Sequence, residues 1–287
     1  MKKNPVYSID NFKANPGKEK LYINTFQNHL TAHSFIEKPH RHNFYLLVLF
    51  TKGSGSHEID FTKYTIQPGS LFVLQPGQMH HWQLSNDIEG YIFFYSQEIY
   101  NLYFGNKKIE DYPFYQSVMN QPEIIFQTDE LAAILPYFDL MIHESQSSHP
   151  KKDEKLLNLL DCIHIEISRK YLAEVTHTAH SYNYKIQQLE QLLEQYYTTE
   201  KLPSFYAEKM NITLKHLNRI SKTILNQTVT ELIANRIVLE AKRLLTDASK
   251  AVNQVADNLG FENYSYFTRL FKKQTGMTPS EFRKKVN

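Results

Sequence analysis

Arg219 and Arg269 stand at equivalent places in two stretches offset by 50 positions, and each is surrounded by the same kind of donor. Lys222 and Lys272 share that offset. Lys215, His216 and Asn218 precede the first arginine, and Ser265, Tyr266 and Thr268 precede the second. No carboxylate interrupts either set. Arginine can bind guanine bidentately, asparagine can do the same for adenine, and lysine neutralises phosphate, so a helix carrying these residues on one side suits the major groove. The bland alternative is an intramolecular ion pair at each arginine. A second set lies far upstream: His40, His42 and His80, with Lys52 and Trp82. Neutral imidazoles on adjacent strands can ligate a transition metal, or can join a lysine and an indole in lining a small-molecule pocket.

The elements that must position the first set are legible in the repeat itself. With an offset of 49, Ala207 pairs with Ala256, Met210 with Leu259, Asn211 with Gly260 and Ile212 with Phe261; with an offset of 50, Asn226 pairs with Gly276, Thr228 with Thr278 and Glu231 with Glu281. The alanines permit close helix approach. Asn and Gly most readily accept the positive φ at which a helix ends in a sharp turn. The T-x-x-E pairs are capping boxes, the second with Pro at the first helical position. Each copy therefore reads helix, tight turn, helix, stop, helix start, which is a helix-turn-helix. The reading helices are predicted over 214–225 and 264–274, with Leu217, Ile220 and Ile224, then Phe267, Leu270 and Phe271, on their apolar sides.

The stretches YAEKMNITLKHLNRISK, RIVLEAKRLLTD and VADNLGFENYSYFTRLFKKQTGMTPSEFR closely resemble the DNA-binding domain of AraC/XylS-family bacterial regulators, over roughly residues 196–286. The resemblance implies two units held by one long helix, about 231–245, docking in successive major-groove faces. It also implies that Lys215, Asn218 and Arg219, then Ser265, Tyr266, Thr268 and Arg269, reach bases; Lys222 and Lys272 are read by their residue type as neutralising phosphate. The first unit departs from the commonest pattern: Asn211 and Asn226 replace Gly, and Ser221 replaces a bulky aromatic, so unit one is expected to be the less stable.

Up to about Gly90 the chain shows short apolar runs, FYLLVLF, YTI and LFVL, between the turn segments KGSGSH, QPGS and QPGQ. Such runs read as an antiparallel sandwich or barrel. Pro39-His40-Arg41-His42, Gly53-Ser54-Gly55 and Gln75-Pro76-Gly77-Gln78-Met79-His80-His81 resemble the two motifs of a cupin barrel. In metal-dependent cupins an H-x-H, a nearby Glu and a later His form the metal set; here the Glu is absent, with Leu46 and Leu47 near its place. The reading is therefore no metal and no cofactor, with His40, His42, Lys52, His80 and Trp82 around an effector.

Leu156, Leu160, Ile163 and Ile167 recur at helical spacing, which predicts an amphipathic helix between the halves. Its stripe can cover its own barrel or pair with a second copy. The expected domains are 1–150, a cupin-like sensor; 151–183, a linker or dimerisation helix; and 184–287, the double helix-turn-helix. The fold class is α+β, an antiparallel β-barrel followed by an all-α domain.

Charge agrees with this division. Residues 184–287 hold 16 Lys+Arg against 10 Asp+Glu, a net of +6, whereas the rest of the chain carries −4 of the overall +2. That asymmetry points to a polyanionic partner for the C-terminal half. One cysteine, Cys162, excludes an internal disulfide, and MKKNPVYSID lacks the apolar stretch of a secretory signal. The longest run without a polar residue, Leu46 to Phe50, is too short to span a bilayer. The expectation is a cytoplasmic transcription regulator whose partners are duplex DNA, a small-molecule effector, RNA polymerase and a second copy of itself. Its rival is a metal-dependent cupin oxygenase or isomerase with an accessory helical domain.

Overall fold

The computed structural model describes residues 5–13, 21–33, 39–115, 121–175 and 180–286, the side chains of 172–175 and 180–183 excepted. The chain divides into two units, Pro5–Val175 and the residues from 176 onward. The first contains β1 (Val6–Tyr7), β2 (Tyr22–Thr25), α1 (Phe26–Ala32), β3 (Arg41–His42), β4 (Tyr45–Lys52), β5 (Gly55–Ile59), β6 (Thr62–Ile66), β7 (Ser70–Leu74), β8 (His80–Leu84), β9 (Glu89–Tyr95), α2 (Gln97–Phe104), β10 (Glu123–Ile125), α3 (Thr128–Ser145) and α4 (Lys152–Val175).

The apolar run of β4 is explained by burial on both faces, since side chains alternate across a strand. Leu46, Val48 and Phe50 enter one core with Phe72, Ile92 and Phe94 of the same sheet and with Ile59, Ile66 and Trp82 of a second sheet. Tyr45, Leu47 and Leu49 enter another core, with Val73, Phe93 and Tyr95, that the helices cover. The result is three layers: a three-stranded sheet, a five-stranded sheet, and helices.

The expected closed barrel is not what forms. The antiparallel sheets run β10-β7-β4-β9-β2 and β6-β5-β8, with β1 and β3 as a separate parallel pair. Closure needs the outer strands to pair, but β2 passes directly into α1, and β10 leads into α3 on the helical side. The four-residue β2 and three-residue β10 thus remain edges.

The segment predicted as a linker over 151–183 belongs, as far as Val175, to the N-terminal unit. Leu156, Leu160, Ile163 and Ile167 are at most 3% exposed and share the core of the five-stranded sheet. The stripe covers its own sheet, so it is not left free for a second copy, and the boundary falls at 175 rather than 150. Polar contacts pin the same helix: Asp161 accepts from Tyr100 at 2.5 Å, from Lys107 at 2.6 and 2.7 Å and from Tyr112, while His164 Nε2 lies 2.8 Å from the Tyr95 hydroxyl.

The C-terminal unit comprises α5 (His180–Tyr196), α6 (Pro203–Lys209), α7 (Leu214–Leu225), α8 (Val229–Leu245), α9 (Val252–Asn258), α10 (Tyr264–Thr275) and α11 (Pro279–Val286). α8 is the long helix expected near 231–245. It packs on α5, α6 and α7 and also on α9, α10 and α11, so its buried residues lie around most of its circumference. Its buried Arg236 is satisfied by Glu194, with Nε–O distances of 3.0 and 2.9 Å, and lies over the Tyr197 ring. A buried guanidinium needs such compensation.

Candidate nucleic-acid interface and effector cluster

Both reading helices begin and end as their residues dictate. Thr213 caps α7 by accepting from His216 N–H, and Asn263 caps α10 by accepting from Ser265 and Tyr266 N–H. They stop at Asn226 and Gly276, with φ of 53° and 77°, and the preceding corners turn at Asn211 and Gly260, with φ of 52° and 71°. All four positions lie in the left-handed region that Asn and Gly tolerate best. The capping boxes form in both copies: Glu231 accepts from Thr228 N–H at 2.7 Å, and Glu281 accepts from Thr278 N–H at 2.7 Å. Those N–H groups and the threonine hydroxyls, with nearby lysines, hold both carboxyls below their usual range.

Lys215, Arg219 and Lys222 are exposed on α7, and Ser265, Tyr266, Arg269 and Lys272 are exposed on α10. Their spacing puts each group on one helical face, opposite Leu217 and Ile220 in the first copy and Phe267 and Phe271 in the second. Among the described residues neither arginine meets a carboxylate; Arg219 Nη2 lies 3.1 Å from His216 Nδ1. The ion-pair alternative raised by the sequence therefore has no counterpart in the structure.

Asn218 and Thr268, equivalent in the repeat, sit apart from the other seven because both are half-buried. Asn218 Oδ1 accepts the Val229 N–H at 3.1 Å, tying α7 to the start of α8. The equivalent of Val229 is Pro279, which has no N–H to give. Among the described residues the Thr268 hydroxyl is accordingly buried without a partner. Asn218→Ala is expected to lower stability by about 1–3 kcal/mol by orphaning a buried N–H, whereas Thr268→Val should be neutral or stabilising. Thermal melts without DNA measure both; equal losses would show that the two positions do the same work. Ser221 also has a repeat partner of different character, Phe271. The serine is fully buried and its hydroxyl donates to the Gln227 carbonyl at 2.6 Å.

In the N-terminal unit the structure gathers His40, His42, His80 and Trp82, all under 5% exposed. Ring centroids are 4.4 Å apart for His40 and His80, 5.0 Å for His42 and His80, and 4.7 Å for His80 and Trp82. Lys52 is not among them; it is exposed at the end of β4 and paired with Glu89 at 3.0 Å. A fourth imidazole, His57, joins instead, its Nε2 lying 3.0 Å from His80 Nδ1. Sequence reasoning missed it because it stands in no H-x-H motif, yet the alternation of GSHEI puts His57 and Ile59 on one face, paired with Trp82 and His80.

His42 Nδ1 donates to the Phe44 carbonyl at 2.8 Å. Among the described residues, His42 Nε2, His57 Nδ1, His80 Nε2 and Trp82 Nε1 are buried with no partner. Burial, and secondarily the other histidines, push His42 down to about 3 and His57 and His80 well below 6.5, so these rings are neutral. Neutral imidazoles can donate from one nitrogen and accept at the other. Among the described residues no group of three His, Cys, Asp or Glu is placed to hold a metal ion. No described helix is long and apolar enough to cross a membrane.

Residues 21–179 match the family model of the AraC-like ligand binding domain, and residues 206–285 match that of a helix-turn-helix domain. The chain is 22% identical over 254 residues to the HTH-type transcriptional activator RhaR of Cronobacter sakazakii, covering 85% of this chain and 86% of that one. It is 24% identical over 260 residues to the arabinose operon regulatory protein of Salmonella typhimurium, covering 87% and 86%. Among solved structures, ToxT from Vibrio cholerae is similar over 94% of this chain and 99% of its own, at 13% identity and a TM-score of 0.43.

Proposed function

The chain belongs to the AraC family of transcription regulators, with an AraC-like ligand binding domain followed by a helix-turn-helix domain, and from that premise we propose how its residues read DNA. Arg219 and Arg269 are base readers, each on its own helix. Lys215, Ser265 and Tyr266 reach base edges beside them, and Lys222 and Lys272 neutralise phosphate. Asn218 and Thr268 lie at the inner margin of these faces, where Asn218 Oδ1 already accepts the Val229 N–H and its amide N–H groups stay available for a base. The observation that carries this reading is the duplication of one exposed, carboxylate-free face on α7 and α10, both braced on α8. Two such helices on one rigid helix suit major-groove faces about one turn, roughly 34 Å, apart.

The histidine and tryptophan cluster is the proposed contact for a small-molecule effector, with His57 added and Lys52 outside it. Its unpaired nitrogens offer both donors and acceptors to an uncharged polar ligand. An effector that binds one arrangement of the N-terminal unit better shifts the population of DNA-competent molecules. The protein acts without catalysis, in the cytoplasm, as a homodimer working with RNA polymerase. An oxygenase or isomerase reading needs three ligands on one ion, and among the described residues no group of three is placed to hold one.

Binding of the arginine variants to a panel of single-base operator mutants tests the assignment. Arg219→Ala and Arg269→Ala should each relax preference at a separate base cluster, costing about 1–3 kcal/mol. Lys222→Ala and Lys272→Ala should weaken all sequences alike and flatten the salt dependence by about one unit of slope. Uniform losses from both arginine variants would make them phosphate clamps and end the base-reading assignment.

A further inference from the structure

The two helix-turn-helix units share α8, but they also meet at a second joint. Lys201, in the loop between α5 and α6, donates from Nζ to the Thr198 carbonyl at 2.8 Å and to the Gly260 carbonyl at 2.9 Å, a residue 59 positions away. Its ammonium lies 4.7 Å from the centroid of the Phe261 ring. Gly260 and Phe261 are the corner of the second unit. Desolvation at this spot depresses the lysine pKa, as expected where an ammonium exchanges water for carbonyls.

The fit is close on the other side of the joint as well. A Cβ built on Gly260 would stand 1.9 Å from the Thr198 carbonyl oxygen, so only glycine lets the corner lie against the loop. The loop is itself anchored, because the fully buried Tyr206 donates its hydroxyl to the Glu200 carbonyl at 2.8 Å. Among the described residues the first unit has no equivalent closure: Asn211 at the matching corner is exposed.

We propose that Lys201 is a positioning residue for DNA recognition, tying the corner of the second unit to the loop ahead of the first and so fixing the spacing at which α7 and α10 address DNA. A pair of reading helices joined along α8 alone can roll about that helix. A charge-assisted tie away from α8 removes this freedom, since bonds from a charged donor are the strong ones. The inference rests on the reading of α7 and α10 as the two base-reading helices.

The test is selection from a random duplex DNA pool with the full chain, comparing wild type with Lys201→Met, Lys201→Arg and Gly260→Asn. Asn keeps the left-handed turn, as Asn211 does at the matching corner, while its Cβ forces the joint apart. Far-UV circular dichroism selects the variants that fold. Wild type should yield two base clusters at one spacing. Lys201→Met and Gly260→Asn should keep both clusters, accept spacings one base pair shorter and longer, and bind the original spacing about tenfold more weakly. Lys201→Arg should keep the single spacing. Sharp wild-type spacing in Lys201→Met and Gly260→Asn, with or without weaker binding, would overturn the proposal and leave the lysine a merely structural part. Wild type selecting no paired clusters would instead overturn the reading of α7 and α10 beneath it.

Discussion

Lowering the pH from about 7 to about 5 is expected to unfold the N-terminal unit while the C-terminal helices stay folded. The N-terminal unit buries His29, His42, His57, His80 and His164, each at most 1% exposed. Burial, in every case the largest cause, pushes His29, His42 and His164 down to about 3 and the other two well below 6.5. A depressed folded-state pKa contributes stability that is present above the unfolded value and lost as pH falls below it. Each of the three groups held at about 3 costs the folded state about 2 kcal/mol by pH 5, so together they approach about 6 kcal/mol, comparable to the stability of a whole domain, and His57 and His80 act in the same direction. In the C-terminal unit Glu190 runs the other way. Desolvation and then Glu194 raise it to about 7, so its stabilising contribution is complete below its unfolded pKa and fades as pH rises through about 7. Trp82 is the only tryptophan and sits among the histidines, so its fluorescence reports the first unit alone. Unchanged Trp82 emission and near-UV circular dichroism down to pH 4.5 would mean that the imidazoles protonate without opening the fold.

Leu160→Asp or Ile163→Asp is the second change with a large expected effect. Both side chains are 0% exposed, in a core shared with Tyr45, Leu47, Phe93 and Phe138. Each variant loses a large aliphatic side chain and buries a carboxylate without a cation. The first loss alone costs about 2–5 kcal/mol and the second adds more, so the N-terminal unit should be unfolded or aggregated at neutral pH. Sedimentation velocity with circular dichroism distinguishes this from the alternative: a variant that stays folded and turns from dimer to monomer would make the stripe an interface between copies.

What the sequence revealed and what it hid follow from the range of the interactions involved. The corners at Asn211 and Gly260, the stops at Asn226 and Gly276 and both capping boxes depend on residues within a few positions of each other, and duplication made each a check on the other. The stripe of α4 was visible but its partner was not, because helical period records that a face is apolar and nothing about what covers it. Barrel closure depended on pairing between β2 and β10, about a hundred residues apart, for which no local signal exists. His57 was hidden for a related reason: its place beside His80 comes from the register of β5 on β8. Lys52 was misplaced because a strand of eight residues carries its last side chain clear of a cluster near its first. The joint at Lys201 joins residues 59 apart and left no pattern to find.

Because α8 serves as a central pillar for both units, neither helix-turn-helix owns a complete core. Val229, Ile233, Ile237, Ala241 and Leu245 are buried by helices lying before and after α8 in the chain. As the chain leaves the ribosome, α5 to α8 can assemble while the side of α8 that α9, α10 and α11 will cover is still bare. That bare side is where a nascent chain would recruit a chaperone or stick to its neighbours. A premature stop after Leu245 would therefore give no half-sized DNA binder; it would give an apolar helix with one flank open to water, a substrate for proteolysis. Duplication doubled the reading surface, and the shared pillar makes both copies live or unfold as one.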